Sequence, residues 1–243
     1  MARRRFFVSE VRNGVAELHG EEAEHLVRVL RAEVGQVYEI SDNQQLYLAE
    51  VEVARKTLLS FKILEKLPEP EATVEILLAA ALIKFDRFEW LVEKATELGV
   101  TAIQPFEAVR TERGLSQAAL KRRARWEKIA LEASQQSRRL RLPELLPAAR
   151  FGEVVAMDAN IKLLLDENAG GTPILQCLPA AKIVTDRVAL MLGPEGGWTE
   201  AERTQAVVAG WKPCSLGKTI LRTETAAVAG LAVIHAAWAA TIS

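Results

Sequence analysis

The stretch Leu190-Met191-Leu192-Gly193-Pro194-Glu195-Gly196-Gly197-Trp198 (LMLGPEGGW) sets an apolar, strand-like run against a corner of three glycines, one proline and a bare carboxylate. Glycine lets a backbone reach positive φ or come within contact distance of a ligand. Thr199 and Glu202 follow at the T-x-x-E spacing of a capping box, so a helix starts just beyond the turn. The segment therefore reads as strand, glycine corner, capped helix. In open α/β sheets ligands lie beyond the carboxyl ends of the strands, which is where this corner falls. A tight turn that needs glycine for its geometry alone accounts for one or two of the glycines, but poorly for GPEGG as a unit.

Outward from this corner, the chain from about residue 74 alternates strands and helices. Residues 74–81, 161–165 and 188–192 are apolar runs of the kind buried on both faces of a parallel sheet. Residues 100–105 add a shorter β-like run. Between them, 85–98 carries Phe88, Leu91, Val92, Ala95 and Leu98 on one helical stripe, with Gly99 suited to its C′ position. Residues 117–137, 200–209 and 225–239 also read as helices. The alternation predicts an α/β domain with a mostly parallel sheet covered on both faces. Residues 1 to about 67 differ: β-rich runs at 5–8, 36–40, 46–53 and 58–64 surround one helix at 21–31, as in a small β-barrel. The polar joint Pro68-Glu69-Pro70-Glu71 separates the two, giving domains at 1–70 and 71–243.

No run of about 18 apolar residues is present, so no membrane span is expected. MARRRFFVSEV contains no apolar h-region, so a signal peptide is not expected either. Cys177 and Cys214 stand in unrelated contexts and read as free thiols of a reducing cytoplasm, with no metal-ligand spacing. The formal net charge of -1 hides an asymmetry. From Arg110 to Arg141 ten Lys or Arg meet only Glu112, Glu127 and Glu132, a local charge of about +7. Such a run is either a solvated helix face or a surface for a polyanion.

Two better-known glycine signals fail. G-x-G-x-x-G does not occur, and Leu216-Gly217-Lys218-Thr219 imitates the end of a phosphate loop with Lys212 where its first glycine belongs. Nucleotide triphosphate hydrolysis loses its main support. The second dense stretch is LGKTILRTETAA, Leu216 to Ala227, in which Thr223 or Thr225 is placed to cap a helix. Arg222 and Glu224 there read either as a buried pair holding a loop or as a guanidinium aimed at substrate.

LGPEGG followed by LGKTILRTETAA resembles the signature pair of the RsmE family, SPOUT-superfamily methyltransferases that modify a uridine in small-subunit (16S) ribosomal RNA. The resemblance runs nearly end to end. Arg4-Arg5-Phe6-Phe7-Val8 and His25 to Arg31 look like the family's PUA-like RNA-binding domain. Lys84, Asp86-Arg87-Phe88-Glu89-Trp90, Glu93 to Gly99 and Gln135-Gln136-Ser137-Arg138 resemble its central motifs. Trp198 departs from a usual phenylalanine and Thr219 from an expected basic residue.

The resemblance implies a C-terminal α/β domain with a trefoil knot, beside an N-terminal PUA-like barrel. It implies S-adenosylmethionine as methyl donor, held by three loops. Leu165 would lie on the first, Leu192, Gly193, Pro194, Glu195, Gly196 and Gly197 on the second, and Leu216, Gly217, Ile220, Leu221 and the nearby Thr225 on the third. The glycines would make room for this cofactor. Arg222 would stabilise charge on the uridine, with Glu224 orienting it or acting as base. RNA would be held by Arg3, Arg4, Arg5, Arg28 and Arg31, by Lys84 and Arg87, and by the basic helix with Arg122, Arg123 and Arg138. A cytoplasmic homodimer joined through residues 226–238 is implied, and neither a metal nor a membrane. The rivals are a SPOUT enzyme with another target (ribose 2′-oxygen or transfer RNA) and a non-catalytic ribosome-assembly factor.

Overall fold

The computed structural model describes residues 4–69, 73–167 and 172–239; Arg3, Pro70 and Glu71, used above, lie outside these ranges. The described chain forms two compact units, one of residues 4–69 with Ser134–Leu142, the other of 73–133 with the chain from Pro143 onward. Residues 134–142 thus interrupt the second half of the sequence and pack with the first unit.

The first unit holds β1 (Arg5–Phe7), β2 (Val11–Arg12), β3 (Val15–His19), α1 (Gly20–Arg28), β4 (Val37–Ser41), β5 (Leu46–Arg55) and β6 (Leu58–Lys66). They form one curled sheet in the order β1-β4-β5-β6-β3-β2, antiparallel except for β1 on β4. Register shifts between Leu48 and Ala49 and between Val51 and Val53 bend the long β5, as bulges do. Phe6, Leu18, Leu26, Ile40, Val51 and Phe61 fill its core.

The second unit holds β7 (Glu75–Ala81), α2 (Phe85–Glu97), β8 (Ala102–Glu107), α3 (Leu115–Gln136), β9 (Glu144–Leu145), β10 (Ala149–Arg150), α4 (Phe151–Val155), β11 (Ile161–Leu165), α5 (Ile174–Cys177), β12 (Arg187–Leu192), α6 (Glu200–Val208), β13 (Lys212–Cys214) and α7 (Thr223–Ala239). The last residues of α3 belong to the first unit. Every ladder of this sheet is parallel, in the order β10-β8-β7-β12-β11-β13, with β9 also on β8. Alternate residues of each strand point to opposite faces. Ile76, Leu78, Leu163, Leu165, Val188 and Leu190 therefore enter one core, roofed by α2 and α7. Leu77, Ala79, Leu164, Ala189 and Met191 enter the other, with Trp198 and Trp211. Two buried faces leave no polar alternation, which is why these strands are continuous apolar runs in the sequence.

Gly99 follows α2 with φ +83°, the left-handed stop that its position suggested. Gly230 lets α7 lie directly on the sheet, since an added Cβ would sit 2.9 Å from Leu190 Cδ2. The small residues of this stretch thus let α7 approach the sheet of its own chain closely. Ala227, Gly230, Leu231, Ile234 and Trp238 are buried in the core, and only the opposite face of α7 remains partly exposed.

Candidate active site

Three neighbouring strands, β12, β11 and β13, end side by side, and the loops that leave them enclose a cleft of about 120 Å³. Leu165, Leu192, Gly193, Pro194, Gly197, Leu216, Gly217, Ile220 and Leu221 all line it, so most of the residues expected on three loops converge. Glu195 and Gly196 instead line an adjoining cleft, and Thr225 is exposed on α7 without lining either. Leucine side chains supply apolar walls and the loop peptides supply polar edges. That donor set suits a nucleoside-sized ligand with flat faces and a polar rim.

The glycine corner has a local explanation that differs from the expected one. A Cβ on Gly193 would lie 2.9 Å from Trp198 Cε2, and one on Gly196 3.1 Å from Arg110 Cβ. Gly197 takes φ +69°. The first two glycines make room for side chains of the protein itself, and the third makes the turn. Both neighbours then brace the corner. The Trp198 indole N–H donates to the Leu165 carbonyl at 2.9 Å. Arg110 Nη1 donates to the carbonyls of Gly196 and Trp198 at 2.9 and 3.2 Å. Thr199 and Glu202 form the predicted capping box of α6. Thr223 does not cap α7; it is the first helical residue, and its hydroxyl donates to the Gly193 carbonyl at 3.0 Å, linking the second loop to the third.

Arg222 and Glu224 do not pair. Arg222 is exposed and makes no ion pair or hydrogen bond from its side chain among the described residues, yet it stands between Leu221 and Thr223, which both line the cleft. Glu224 is buried, with Oε1 3.9 Å from Arg87 Nε and Oε2 lacking a hydrogen-bond partner. Arg87 also forms a close ion pair with Glu195. One guanidinium from α2 thus serves a carboxylate from each signature motif. Assigning Arg87 to RNA overlooked this. No local signal in the sequence points to it, because Arg87 and Glu195 are 108 positions apart.

The two cysteines, unrelated in sequence, are neighbours here. Burial first, and then Cys177 beside it, pushes the Cys214 thiol upward, so Cys214 stays protonated at the foot of the cleft.

Of the residues expected to meet RNA, Arg4, Arg28, Arg31, Lys84, Arg122 and Arg123 are exposed. Arg5 is not; its guanidinium is buried and donates to Glu39 Oε2 from Nε at 3.1 Å and Nη2 at 2.8 Å. Arg138 reaches Glu39 Oε1, so Glu39 ties β1 to the segment 134–142 inside the first unit. β1 is buried at all three positions, Arg5 included, while Arg4 just before it is exposed, which is why charge alone misplaced Arg5. On α3, Arg122 lies 5.2 Å over the Phe85 ring and near Glu89, and Arg123 pairs with Glu127 at 2.9 Å.

Comparison with known proteins gives the class first. The model of the RNA methyltransferase domain matches residues 70–235, and that of the RNA methyltransferase PUA domain matches residues 18–64. The Bacillus subtilis ribosomal RNA small subunit methyltransferase E is 32% identical, covering 95% of each chain. Its Synechocystis counterpart is 35% identical, over 91% of this chain and 71% of its own. The crystal structure of ribosomal RNA small subunit methyltransferase E from Neisseria gonorrhoeae bound to S-adenosyl methionine superposes with a TM-score of 0.86, at 32% identity and 98% coverage of both chains. The chain belongs to the ribosomal RNA small subunit methyltransferase E family of RNA methyltransferases.

Proposed function

We propose that this protein methylates N3 of a uridine in 16S ribosomal RNA of the small subunit, with S-adenosylmethionine as donor. The observation that carries the reading is the convergence of three strand-end loops on one cleft, with Arg222, unpaired among the described residues, between the lining residues Leu221 and Thr223. When bound, S-adenosylmethionine supplies an electrophilic methyl group on sulfur. Leu165, the Leu192–Gly197 corner and Leu216–Leu221 would hold it, their backbone groups reading its polar edges. N3 of uridine carries a proton and lies on the Watson–Crick edge, so the base must be unpaired or extruded. Arg222 would stabilise the negative charge left when that proton departs, as an oxyanion hole does. Glu224, with one carboxylate oxygen free of hydrogen bonds, would accept a proton or fix Arg87.

Residues 1–70 would form the RNA-binding domain, joined by 134–142, and the rest of 71–243 the catalytic domain. The reaction would take place in the cytoplasm; among the described residues no helix is long and apolar enough to cross a membrane. A C-terminal trefoil knot, as the family resemblance implies, is part of this reading. The exposed face of α7 remains the candidate homodimer surface.

The test is transfer of labelled methyl to small subunits lacking the modification, with the product nucleoside identified. 3-Methyluridine supports the proposal. A 2′-O-methylated nucleoside or methylated transfer RNA would replace the target, and failure to bind S-adenosylmethionine would favour a non-catalytic assembly factor. RNA affinity should fall steeply with salt, because Lys and Arg contacts to phosphate release counterions.

A further inference from the structure

Among the described residues, the charged side chains that line the three-loop cleft are Asp166 and Glu167 from the first loop and Lys218 from the third. Asp166 is already engaged. Its buried carboxylate accepts from Arg203 Nε at 2.6 Å and Nη2 at 3.3 Å. Glu167 and Lys218 are exposed, and neither side chain makes an ion pair or hydrogen bond among the described residues. Glu167 nevertheless stays at the cleft. A Cβ on Gly197 would stand 3.2 Å from its Oε1, which puts the carboxylate over the backbone of the second loop. Arg110 Nη1 lies 4.0 Å from the same point, but its hydrogen bonds go to the Gly196 and Trp198 carbonyls. The turn before Lys218 is set by Ser215, whose hydroxyl donates to the Gly217 carbonyl at 2.8 Å and accepts from the Gly217 N–H at 3.1 Å. The cleft therefore offers one uncommitted carboxylate and one uncommitted ammonium group.

We propose that these two residues read the amino-acid arm of the methyl donor, Glu167 taking its ammonium group and Lys218 its carboxylate. The inference rests on the methyltransferase reading above, and it is carried by the charge inventory of the cleft. The nucleoside end of S-adenosylmethionine is flat and uncharged, and leucine walls with peptide edges suffice for it. The arm is a zwitterion. Each of its charges loses water on entering a cleft and needs an opposite charge there, or binding bears the desolvation cost. One free carboxylate and one free ammonium group meet that need, and Asp166, already paired with Arg203, adds no third charge. The sulfonium is the poorer partner for Glu167. Its positive charge disappears during transfer, so a carboxylate held against it would stabilise the ground state more than the transition state. A carboxylate on the ammonium group binds both states alike and leaves the reacting methyl free.

The experiment is calorimetric titration of the full-length protein with three ligands: S-adenosylmethionine, S-adenosylhomocysteine, and 5′-methylthioadenosine, which lacks the zwitterion. Glu167→Gln and Lys218→Gln should each weaken the first two about fivefold, the scale of one exposed charge pair, and leave the third within twofold. Because both side chains are exposed and unpaired, Tm should not move in either variant. Equal weakening of 5′-methylthioadenosine would make the two residues contacts of the nucleoside and overturn the proposal. Weakening of S-adenosylmethionine but not S-adenosylhomocysteine by Glu167→Gln would overturn it too, by placing the carboxylate at the sulfonium. Wild-type affinities in both variants would leave Glu167 and Lys218 as solvated surface charges and sink the assignment alone. A wild-type protein that binds none of the three ligands would instead bring down the cofactor reading on which it rests.

Discussion

The indole N–H of Trp198 donates to the carbonyl of Leu165 across 2.9 Å, fastening the glycine corner to the end of the neighbouring strand. Phenylalanine at this position keeps the ring, which stacks on Phe106 at 6.2 Å, but cannot make the bond. Trp198→Phe leaves a buried carbonyl unsatisfied, at a cost of about 1–2 kcal/mol. Calorimetry should show a drop of roughly 2–6 °C in Tm, and titration a several-fold weaker S-adenosylmethionine affinity. An unchanged Tm would mean that the ring alone holds the two loops together.

Gly193 and Trp198 are coupled by contact. Gly193→Ala drives a methyl group to within 2.9 Å of the indole, which has no room to withdraw from its buried site. Overpacking of this kind costs about 1–3 kcal/mol. In the Trp198→Phe background the smaller ring relieves part of the clash, so the double variant should be more stable than the sum of the single losses predicts. Denaturant unfolding of the four proteins measures this, and strict additivity would show that the alanine is strained by something else.

Arg87 stands between Glu195 and Glu224, and removing it leaves two carboxylates without their cation, one of them buried. Arg87→Ala should destabilise the protein by about 2 kcal/mol, the scale of hydrogen bonds to charged groups. Adding Glu224→Gln should recover part of that loss by removing the uncompensated buried charge. Lysine at position 87 should restore little, because it lacks the fork that reaches two acceptors at once. Urea midpoints distinguish these outcomes; a double variant weaker than Arg87→Ala would place the source of the loss elsewhere.

The parallel sheet was readable because residues 74–81, 161–165 and 188–192 bury both faces, a pattern few other elements share. The Thr199–Glu202 cap and the Gly99 stop were readable because each is a local rule carried by two or three residues. What stayed hidden was set by tertiary contact. Asn13 and Gly14, both at positive φ, turn a hairpin whose first strand is only two residues long, too short to show a period. Nothing near Ser134–Leu142 signals that its partners are Glu39 and Ser41, about a hundred residues earlier. The cleft's lining was anticipated from its motifs, but Glu195 and Arg87 required geometry, since their pairing spans 108 positions.

Arg222 carries the proposed chemistry without a structural duty among the described side chains. Arg222→Ala should therefore leave Tm unchanged within error and S-adenosylmethionine affinity within twofold. Methyl transfer should fall about 100- to 1000-fold, the loss typical of one group stabilising developing charge. Lysine should recover part of it by keeping the positive charge. A variant that loses stability in proportion to activity would make Arg222 a structural residue instead.

Glu39 gives the first unit an acid limit. Burial raises its carboxyl group, but hydrogen bonds from Arg138 and Arg5, together with their charges, outweigh burial and hold it below the ordinary value of 4.5. A group depressed on folding stabilises the native state above its unfolded value, and that stabilisation is lost as pH falls through the folded value. Wild type should therefore lose stability progressively below about pH 4.5. In Glu39→Gln this component is absent, while buried Arg5 is left without its counter-charge at every pH, at a cost of about 3 kcal/mol. Urea unfolding at pH 7 should show the variant weaker by that amount. The gap should narrow steadily towards pH 3, where the wild-type carboxyl is itself becoming neutral. A gap independent of pH would mean that Glu39 holds β1 and the 134–142 segment by shape and hydrogen bonding, with its charge contributing nothing.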